Sequence, residues 1–223
     1  MSAEIRHISN SADFAAVFDV SRETLDRLAI YEALLRQWQK AVNLVAASTL
    51  DAVWHRHFGD SAQIVRLAPE YAHFWVDLGS GAGFPGLVVA ILLAGSPSGM
   101  ATHVTLIESD QRKCAFLREV ARKTGITVDI LSTRIEQAAT HTSLESPEVV
   151  SARALAPLDR LFGLAAHLFT PSTVGVFLKG RDAAAEVETA AKAWTFAVEM
   201  VPSLTEASGR VVVVRNLQPK SKD

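Results

Sequence analysis

The stretch Phe74-Trp-Val-Asp-Leu-Gly-Ser-Gly-Ala-Gly-Phe-Pro-Gly86 decides the fold of this 223-residue chain. Its first five residues are apolar apart from Asp77 and predict a buried strand that ends near Leu78. Glycines then recur at every second position, which lets the backbone take positive φ angles and approach a ligand closely. Pro85 suits the first turn of a helix, since its missing N–H has no hydrogen bond to lose there. The stretch therefore predicts a strand, a tight loop and a helix that begins near Phe84 or Pro85.

Strand-like and helical segments alternate along the chain after Pro69. Six short apolar runs predict strands, at Phe74–Leu78, Val104–Glu108, Thr127–Leu131, Val149–Ala152, Val174–Leu178 and Val211–Val214. Helical patterns lie between them, at Leu87–Ala94, Arg112–Lys123, Leu158–Phe169 and Ala183–Trp194. This alternation predicts an α/β domain with a mostly parallel sheet and helices on both of its faces.

The chain before Pro69 has a different pattern, which is helical. One apolar stripe recurs at three- and four-residue spacing, through Leu25, Leu28, Ala29, Leu35, Trp38, Val42 and Val45. A second helical stretch runs from Thr49 to Leu67. We therefore predict a helical element over residues 1–70, packed on a Rossmann-like domain over residues 71–223 as one compact unit. Residues 1–20 carry no motif that suggests a role.

Composition excludes several classes of protein. The chain has 49% hydrophobic and 21% charged residues, which is typical of a globular enzyme. Its longest apolar run, Leu87 to Ala94, is far too short to span a bilayer, and its N-terminus lacks the features of a secretory signal. A single cysteine, Cys114, cannot form an internal disulfide. We expect a cytoplasmic protein without a membrane partner, and we favour a monomer because no extended heptad pattern is present.

The charge distribution leaves nucleic-acid binding open. A formal net charge of −2 provides no overall attraction to nucleic acid. A local basic run is present on the predicted helix after the second strand, at Arg112, Lys113, Arg118, Arg122 and Lys123. That run fits either a solvated helix face or an RNA contact.

Two nucleotide-type cofactors fit the glycine loop. The segment from Gly81 to Gly86 matches the G-x-G-x-x-G dinucleotide fingerprint. That fingerprint should begin at the strand end, however, and Asp77-Leu-Gly79 already occupies that place. A carboxylate there would repel a pyrophosphate, whereas it would attract the ammonium group of a methionine moiety. The pattern D-x-G-x-G-x-G from Asp77 to Gly83 therefore favours the S-adenosylmethionine loop of class I methyltransferases.

Glu108 supports nucleotide binding without choosing the cofactor. It closes the predicted second strand, at the edge of the sheet where the glycine loop lies. A carboxylate at this place can accept two hydrogen bonds from a ribose diol. The alternative is a surface acid that caps the next helix. A P-loop is excluded, because no glycine is followed by the required Lys-Ser or Lys-Thr pair.

Several segments together resemble one family, the glucose-inhibited division protein B family. They occur in the family's order, at Asn43-Leu44, Arg56-His57-Phe-Gly-Asp60-Ser61, Asp77–Gly86, Ser151-Ala-Arg153-Ala154 and Lys179-Gly180. The resemblance extends from about Tyr31 to Arg215, and Phe84-Pro85-Gly86 makes it more specific than a generic methyltransferase loop. It implies a class I methyltransferase fold with a seven-stranded, mostly parallel sheet and a helical N-terminal extension.

The resemblance also implies an activity and a set of contacts. Family members are bacterial enzymes that transfer a methyl group from S-adenosylmethionine to nitrogen 7 of a guanine in small-subunit (16S) ribosomal RNA. The cofactor-binding residues that we expect, from the loop pattern and the resemblance together, are Asp77, Gly79, Gly81, Gly83, Phe84, Glu108, Ile135, Glu136 and Arg153. The expected macromolecular partner is the ribosomal RNA of the small subunit.

Guanine nitrogen 7 carries a free lone pair, so the reaction needs positioning rather than a general base or a nucleophilic side chain. Lys179 closes the predicted fifth strand and could meet a phosphate or the guanine carbonyl oxygen. His57 and Asp60 share one face of a helix and could help to form the guanine pocket. Arg56 and Asp60 are four residues apart and could pair along that helix. We expect no metal, because His57 and Asp60 with one hydroxyl make a poor zinc site.

Two other functions remain open at this point. The overlapping G-x-G-x-x-G could serve a nicotinamide-dependent oxidoreductase, although no second catalytic domain is recognisable. The chain could also be a non-catalytic RNA-binding or assembly protein that retains the fold.

Overall fold

The computed structural model describes residues 6–70, 72–95, 102–138, 144 and 146–221. Its centre is a seven-stranded sheet in the order β3-β2-β1-β4-β5-β7-β6. The strands are β1 (Phe74–Leu78), β2 (His103–Glu108), β3 (Asp129–Ser132), β4 (Val149–Arg153), β5 (Val174–Lys179), β6 (Trp194–Pro202) and β7 (Arg210–Pro219). β1 to β5 are parallel, and β7 runs antiparallel to both of its neighbours.

The strand order reverses at β1, which pairs with β2 on one side and with β4 on the other. In an open α/β sheet, the crevice for a ligand lies at this reversal, beyond the carboxyl ends of the strands. The topology therefore places the loop after β1 next to the ends of β2 and β4.

Helices cover both faces of the sheet. They are α1 (Ser11–Phe18), α2 (Arg22–Trp38), α3 (Asp60–Ala62), α4 (Gly86–Ala94), α5 (Gln111–Thr124), α6 (Ile135–Ala138), α7 (Leu158–Ala165) and α8 (Ala183–Ala190). α3 belongs to a longer helical segment, residues 47–67. That segment also contains 3₁₀ turns at Ala47–Ala52 and Gln63–Leu67 and a π-helical turn at Trp54–Gly59. π-helical turns are rare and are often found at functional sites.

The N-terminal helices share a core with one face of the sheet. Leu28 and Tyr31 of α2 and Phe58 of the helical segment are fully buried with Trp75 of β1 and Phe116 of α5. The opposite face is covered by α7 and α8, whose buried side chains pack with neighbours such as Val76 and Phe177. Even residues that carry no sequence motif contribute to the first core, since Ile8 and Phe14 are completely buried. The helical element is therefore an integral layer of the fold.

The structure corrects the predicted boundaries at two places. The helix predicted over Ala183–Trp194 ends at Ala190, and the chain then forms β6, which the sequence pattern did not predict. β6 is an edge strand whose side chains are mostly exposed, although its sequence from Phe196 to Val201 is largely apolar. The helix that carries the apolar stripe also ends at Trp38, before the last two residues of the stripe. The Gln39 side chain hydrogen-bonds the backbone of Leu44 and Val45 and holds them in a loop.

The sequence predicts no segment that is long and apolar enough to span a bilayer. Within the described ranges, the structure contains no helix that is both long and apolar enough to cross a bilayer.

Candidate functional site

An open cavity of about 1020 Å³ lies beyond the carboxyl ends of the parallel strands. One side of its wall is formed by the loop after β1 and by the ends of β2 and β3. The other side is formed by the end of β4, by residues of the helical segment 47–67 and by the loop 203–209 between β6 and β7. The cavity therefore occupies the crevice that the reversal of strand order creates.

The glycine loop forms one wall of the cavity, but its three glycines have different surroundings. Gly79, Gly81 and Gly83 all have positive φ angles, of +63°, +57° and +93°. A Cβ atom at Gly81 would have only one atom within 4 Å, the Gly79 carbonyl oxygen at 3.8 Å. Gly81 thus leaves the cavity side of the loop open for a ligand. Gly79 also lines the cavity, beside Leu155, whereas Gly83 faces Tyr31 and Leu87 and is not part of the cavity wall.

Asp77 lies beneath the loop rather than on the cavity wall. Its carboxylate is fully buried, accepts a hydrogen bond from the Ser151 hydroxyl at 2.7 Å and accepts another from the Gly86 N–H at 3.2 Å. Burial raises the pKa of Asp77 to about 6, against the hydrogen bonds from Ser151 and Gly86 and the charge of Arg153, which lower it. These two hydrogen bonds tie the first residue of α4 to β1 and β4. The contact of Asp77 with a ligand ammonium stays a prediction.

Glu108 lies at the end of β2 and on the cavity wall, as predicted. One carboxylate oxygen accepts a hydrogen bond from the Gly81 N–H at 2.9 Å, and the other accepts from the Asp110 N–H at 2.7 Å. Each oxygen retains a further lone pair, so the carboxylate can still accept hydrogen bonds from a diol in the cavity. Glu108 therefore both orients the glycine loop and presents an acceptor edge.

Ile135 and Glu136 lie at the start of α6, just after β3, and both line the cavity. Ile135 is buried, and Glu136 is exposed at the cavity rim. They lie near Glu108, because α6 follows β3 and β3 pairs with β2.

Arg153, at the end of β4, lies on the cavity wall and contacts the glycine loop at Phe84. Its Nη1 donates to the Arg56 carbonyl oxygen at 2.9 Å and to Asp60 Oδ2 at 3.2 Å. Its Nη2 donates to His57 Nδ1 at 2.9 Å. The guanidinium also lies over the Phe84 ring, 4.9 Å from its centroid, in a cation–π contact. The structure thus brings together four of the residues singled out in the sequence: His57, Asp60, Phe84 and Arg153.

Aromatic rings hold Phe84 in place. The Tyr31 ring stacks on it at a centroid distance of 5.3 Å, and the His57 ring stacks on it at 4.9 Å. The Tyr31 hydroxyl donates a hydrogen bond to the Ala82 carbonyl oxygen, which anchors the middle of the glycine loop to α2. Sequence analysis did not single out Tyr31 for this role, because the partner of its hydroxyl lies 51 residues away in the chain.

Lys179 closes β5 and lines the cavity, but two protein groups already hold its ammonium. It forms an ion pair with Glu186 at 2.8 Å and donates to the Ala156 carbonyl oxygen. Glu186 also accepts from the Leu158 N–H at 2.9 Å. The pair therefore joins β5, α7 and α8 in this structure, and Lys179 has less freedom to reach a phosphate than the sequence suggested.

The loop between β6 and β7 adds residues that the sequence did not reveal. Thr205 donates to Asp60 Oδ1 at 2.9 Å, and the Gln63 side chain bridges Asp60 and the Leu204 N–H. The predicted pairing of Arg56 with Asp60 is wrong, because Arg56 pairs with Glu206 at 2.6 Å while Asp60 pairs with Arg153. These partners are 93 to 150 residues apart in sequence, so helical spacing could not predict them.

In the part of the chain that the structure describes, no group of three or more His, Cys, Asp or Glu side chains is arranged to hold a metal ion. Cys114 is buried, and its thiol donates to the Glu108 carbonyl oxygen at 3.2 Å.

Comparison with known proteins adds the deciding observation. The GidB family model, described as rRNA small subunit methyltransferase G, matches residues 24–213. The chain belongs to this family.

Close relatives cover nearly the whole chain. A ribosomal RNA small subunit methyltransferase G from Parvibaculum lavamentivorans is 55% identical over 94% of this chain and 91% of its own length. The corresponding protein from Rhodospirillum centenum is 54% identical, over 94% of this chain and 92% of its own length. These matches confirm the resemblance inferred from the sequence segments.

Solved structures with the same fold are also methyltransferases. A methyltransferase from Geobacter sulfurreducens has a TM-score of 0.55 at 13% identity, covering 93% of this chain and 97% of its own. A ribosomal protein L11 methylase from Lactobacillus delbrueckii has a TM-score of 0.52 at 13% identity, covering 72% of this chain and 77% of its own. At these identities the likeness concerns the fold, which is that of class I methyltransferases, and it confirms the predicted fold class. The nicotinamide-dependent alternative finds no support in these matches.

Proposed function

We propose that this protein transfers a methyl group from S-adenosylmethionine to nitrogen 7 of a guanine in small-subunit (16S) ribosomal RNA. The observation that carries the proposal is the cavity wall itself. The open side of Gly81 and the Glu108 carboxylate lie on one side of it, and the Arg153 guanidinium lies on the other. Membership of the rRNA small subunit methyltransferase G family supports the choice of substrate.

The residues present fit S-adenosylmethionine. Glu108 offers carboxylate oxygens for a ribose diol, and Ile135 offers an apolar side chain for an adenine ring. Arg153 offers a cation for the carboxylate of the methionine moiety. The bound cofactor would supply a methyl group on a sulfonium, an electrophile that a ring nitrogen with a free lone pair can attack.

The protein's contribution to the reaction is then positional. The glycine loop and Glu108 would fix the donor on one side of the cavity. The part of the cavity wall formed by Asp60 and Thr205, which hydrogen-bond to each other, would receive the base, at about 3 Å between the reacting atoms. No side chain has to remove a proton from the attacking nitrogen. This agrees with the buried position of Cys114 and with the engagement of His57 by Arg153.

Basic side chains at the cavity rim support an RNA substrate. Lys113, Arg134 and Arg160 line the cavity, from the segments after β2, β3 and β4. Among the described residues, none of the three forms an ion pair with a carboxylate. Unpaired cations around the mouth would attract the phosphates of an RNA backbone without specifying its sequence. This local arrangement outweighs the net charge of −2, which by itself favours no nucleic acid.

Transfer of labelled methyl from S-adenosylmethionine to small ribosomal subunits that lack their own modifications tests the proposal. We expect one labelled position, released as 7-methylguanine after digestion. Arg153→Ala should lower kcat/KM about a hundredfold, because it removes the cavity cation and the donor to Asp60 Oδ2 and His57 Nδ1. Arg22→Ala removes a charge from an exposed site on α2 and serves as the matched control, with an unchanged rate.

Absence of label on both naked RNA and whole subunits would remove the proposed activity. Binding of the subunit without methyl transfer would instead favour the non-catalytic assembly protein considered above.

Glu108→Gln tests the proposed cofactor contact separately. The substitution keeps the shape of the side chain. An amide nitrogen cannot accept a hydrogen bond, however, so the variant loses one of the two bonds that Glu108 accepts from the Gly81 and Asp110 N–H groups. We expect S-adenosylhomocysteine to bind about tenfold more weakly, measured by calorimetry. Glu119→Gln on the outer face of α5 removes the same charge away from the cavity and should bind like the unsubstituted protein. Equal affinity in all three proteins would exclude Glu108 from the cofactor site.

A further inference from the structure

A chain of hydrogen bonds runs behind Arg153 and ends in the backbone of the helical segment. Arg153 Nη2 lies 2.9 Å from His57 Nδ1, and His57 Nε2 lies 2.8 Å from Thr49 Oγ1. Thr49 Oγ1 in turn lies 2.8 Å from the Ala46 carbonyl oxygen. Each of these four residues lines the cavity, and His57 is buried.

The direction of every hydrogen bond in this chain is determined by chemistry. A guanidinium can only donate, so His57 Nδ1 must accept from Arg153 and cannot carry a proton. A carbonyl oxygen can only accept, so the Thr49 hydroxyl donates its proton to Ala46. The hydroxyl oxygen of Thr49 is then free to accept, and a neutral His57 donates to it through Nε2–H. The imidazole is therefore held as the Nε2–H tautomer from both ends.

Charge and burial keep the imidazole neutral. Burial lowers the pKa of His57 to about 3, and the positive charges of Arg153 and Arg56 act in the same direction. His57 thus remains an acceptor for Arg153 throughout the range in which enzymes of this kind work.

The three protein acceptors leave part of the guanidinium available. Arg153 has five N–H groups, and those that contact Arg56, Asp60 and His57 account for three of them. The remaining two have no acceptor among the described residues and belong to a side chain on the cavity wall. An anionic group with two oxygens, such as a carboxylate, is the ligand that such a guanidinium recognises best.

We propose that His57 is a positioning residue, which Thr49 holds in the Nε2–H tautomer so that its Nδ1 aims the Arg153 guanidinium at a carboxylate bound in the cavity. The inference rests on the proposed function, because the carboxylate is taken to be that of the S-adenosylmethionine methionine moiety. It assigns to His57 neither proton transfer nor direct recognition of the guanine.

Two substitutions at position 57 separate positioning from packing. His57→Asn keeps an acceptor oxygen at the place of Nδ1 but loses the ring that stacks on Phe84. His57→Phe keeps a ring for that stacking but loses the acceptor. If His57 only fills space, the phenylalanine variant should bind ligand normally and the asparagine variant poorly. Positioning predicts the opposite order.

Calorimetry with S-adenosylhomocysteine provides the first measurement. We expect His57→Phe to weaken binding about tenfold and His57→Asn to retain affinity within about threefold of the unsubstituted protein. Thermal unfolding of both variants reports any loss of packing independently of binding. Weaker binding by His57→Asn than by His57→Phe would overturn the inference.

Nitrogen NMR of the imidazole provides a second measurement, which needs neither cofactor nor activity. The ¹⁵N signals of His57, identified by their loss in His57→Asn, should show a protonated Nε2 and an unprotonated Nδ1 from about pH 5 to about pH 8. In Arg153→Ala the imidazole loses its donor at Nδ1 and a neighbouring positive charge, so the pKa of His57 should rise. Signals that are the same with and without Arg153 would exclude the coupling. That result would exclude the positioning role of His57 even if methyl transfer to the subunit had been demonstrated. The expected NMR signals in a protein that transfers no methyl group would instead count against the proposed function.

Discussion

Gly83→Ala is expected to destabilise the folded protein by about 4 kcal/mol, although Gly83 does not touch the cavity. Its φ of +93° lies in a region that residues with a side chain rarely adopt. A Cβ atom there would also lie 2.5 Å from the Tyr31 hydroxyl oxygen and 2.9 Å from Leu87 Cβ. Both neighbours are buried in the core between α2 and α4, so neither can move away without disturbing the packing of that core.

Gly81→Ala in the same loop is the matched comparison. Its φ of +57° is also positive, so a backbone cost of about 1 kcal/mol is expected. Its Cβ, however, would make only an ordinary contact, 3.8 Å from the Gly79 carbonyl oxygen. This variant should fold. It should lose affinity for S-adenosylhomocysteine, because the new methyl group takes up space in the cavity that Gly81 lines. Urea unfolding and calorimetry on the two variants distinguish these outcomes. Similar stability of the two variants would mean that the contacts of Gly83 with Tyr31 and Leu87 do not constrain the loop.

Asp77→Asn is expected to make the folded protein more stable at neutral pH. Burial raises the pKa of Asp77 to about 6 from its ordinary value of 3.8. Because the pKa of Asp77 is higher in the folded state than in the unfolded state, protonation of Asp77 stabilises the folded protein. This stabilisation is complete below pH 3.8 and is lost as the pH rises through about 6. The difference of about 2 pKa units corresponds to about 3 kcal/mol above pH 6. Asparagine carries no charge and retains an oxygen for the Gly86 N–H, so it should avoid this cost.

The test is the free energy of unfolding of both proteins, measured by urea denaturation at about pH 4 and about pH 7.5. The difference between Asp77→Asn and the unsubstituted protein should be small at the lower pH and should grow in favour of the variant at the higher pH. Other carboxylates titrate in the same range, but they are common to both proteins and cancel in the difference. A difference that does not change with pH would mean that Asp77 is ionised in the folded state at little cost.

If Asp77→Asn is more stable, the natural residue has a reason other than stability. Its charge lies near Arg153, whose positive charge lowers the pKa of Asp77. A buried carboxylate at this place adds negative potential beneath the loop that faces the proposed cofactor site. Functional sites often retain ionisable groups that cost folding energy.

The sequence by itself determined the fold class and the edge of the sheet that carries the site. The apolar strands, the glycine spacing and the position of Asp77 are local patterns, and each depends on a few neighbouring residues. The position of Glu108 could be predicted in the same way, because the last residue of a parallel strand lies at the edge of the sheet where ligands bind. The strand β6 escaped prediction because the predicted helix extends to Trp194, the first residue of β6, and leaves the apolar stretch from Phe196 to Val201 without a predicted strand.

Only the tertiary structure decided which role each site residue has. Gly81 and Gly83 are equivalent in the sequence pattern, yet one faces the cavity and the other faces the core. Asp77 turned out to hold Ser151 and Gly86, and Arg153 turned out to hold Asp60 and His57. Such partners come from strands and helices far apart in the chain, and a hydrogen bond depends on distance and direction in space. Periodicity and spacing carry no information about either, so the chain of hydrogen bonds behind Arg153 became visible only in the folded protein.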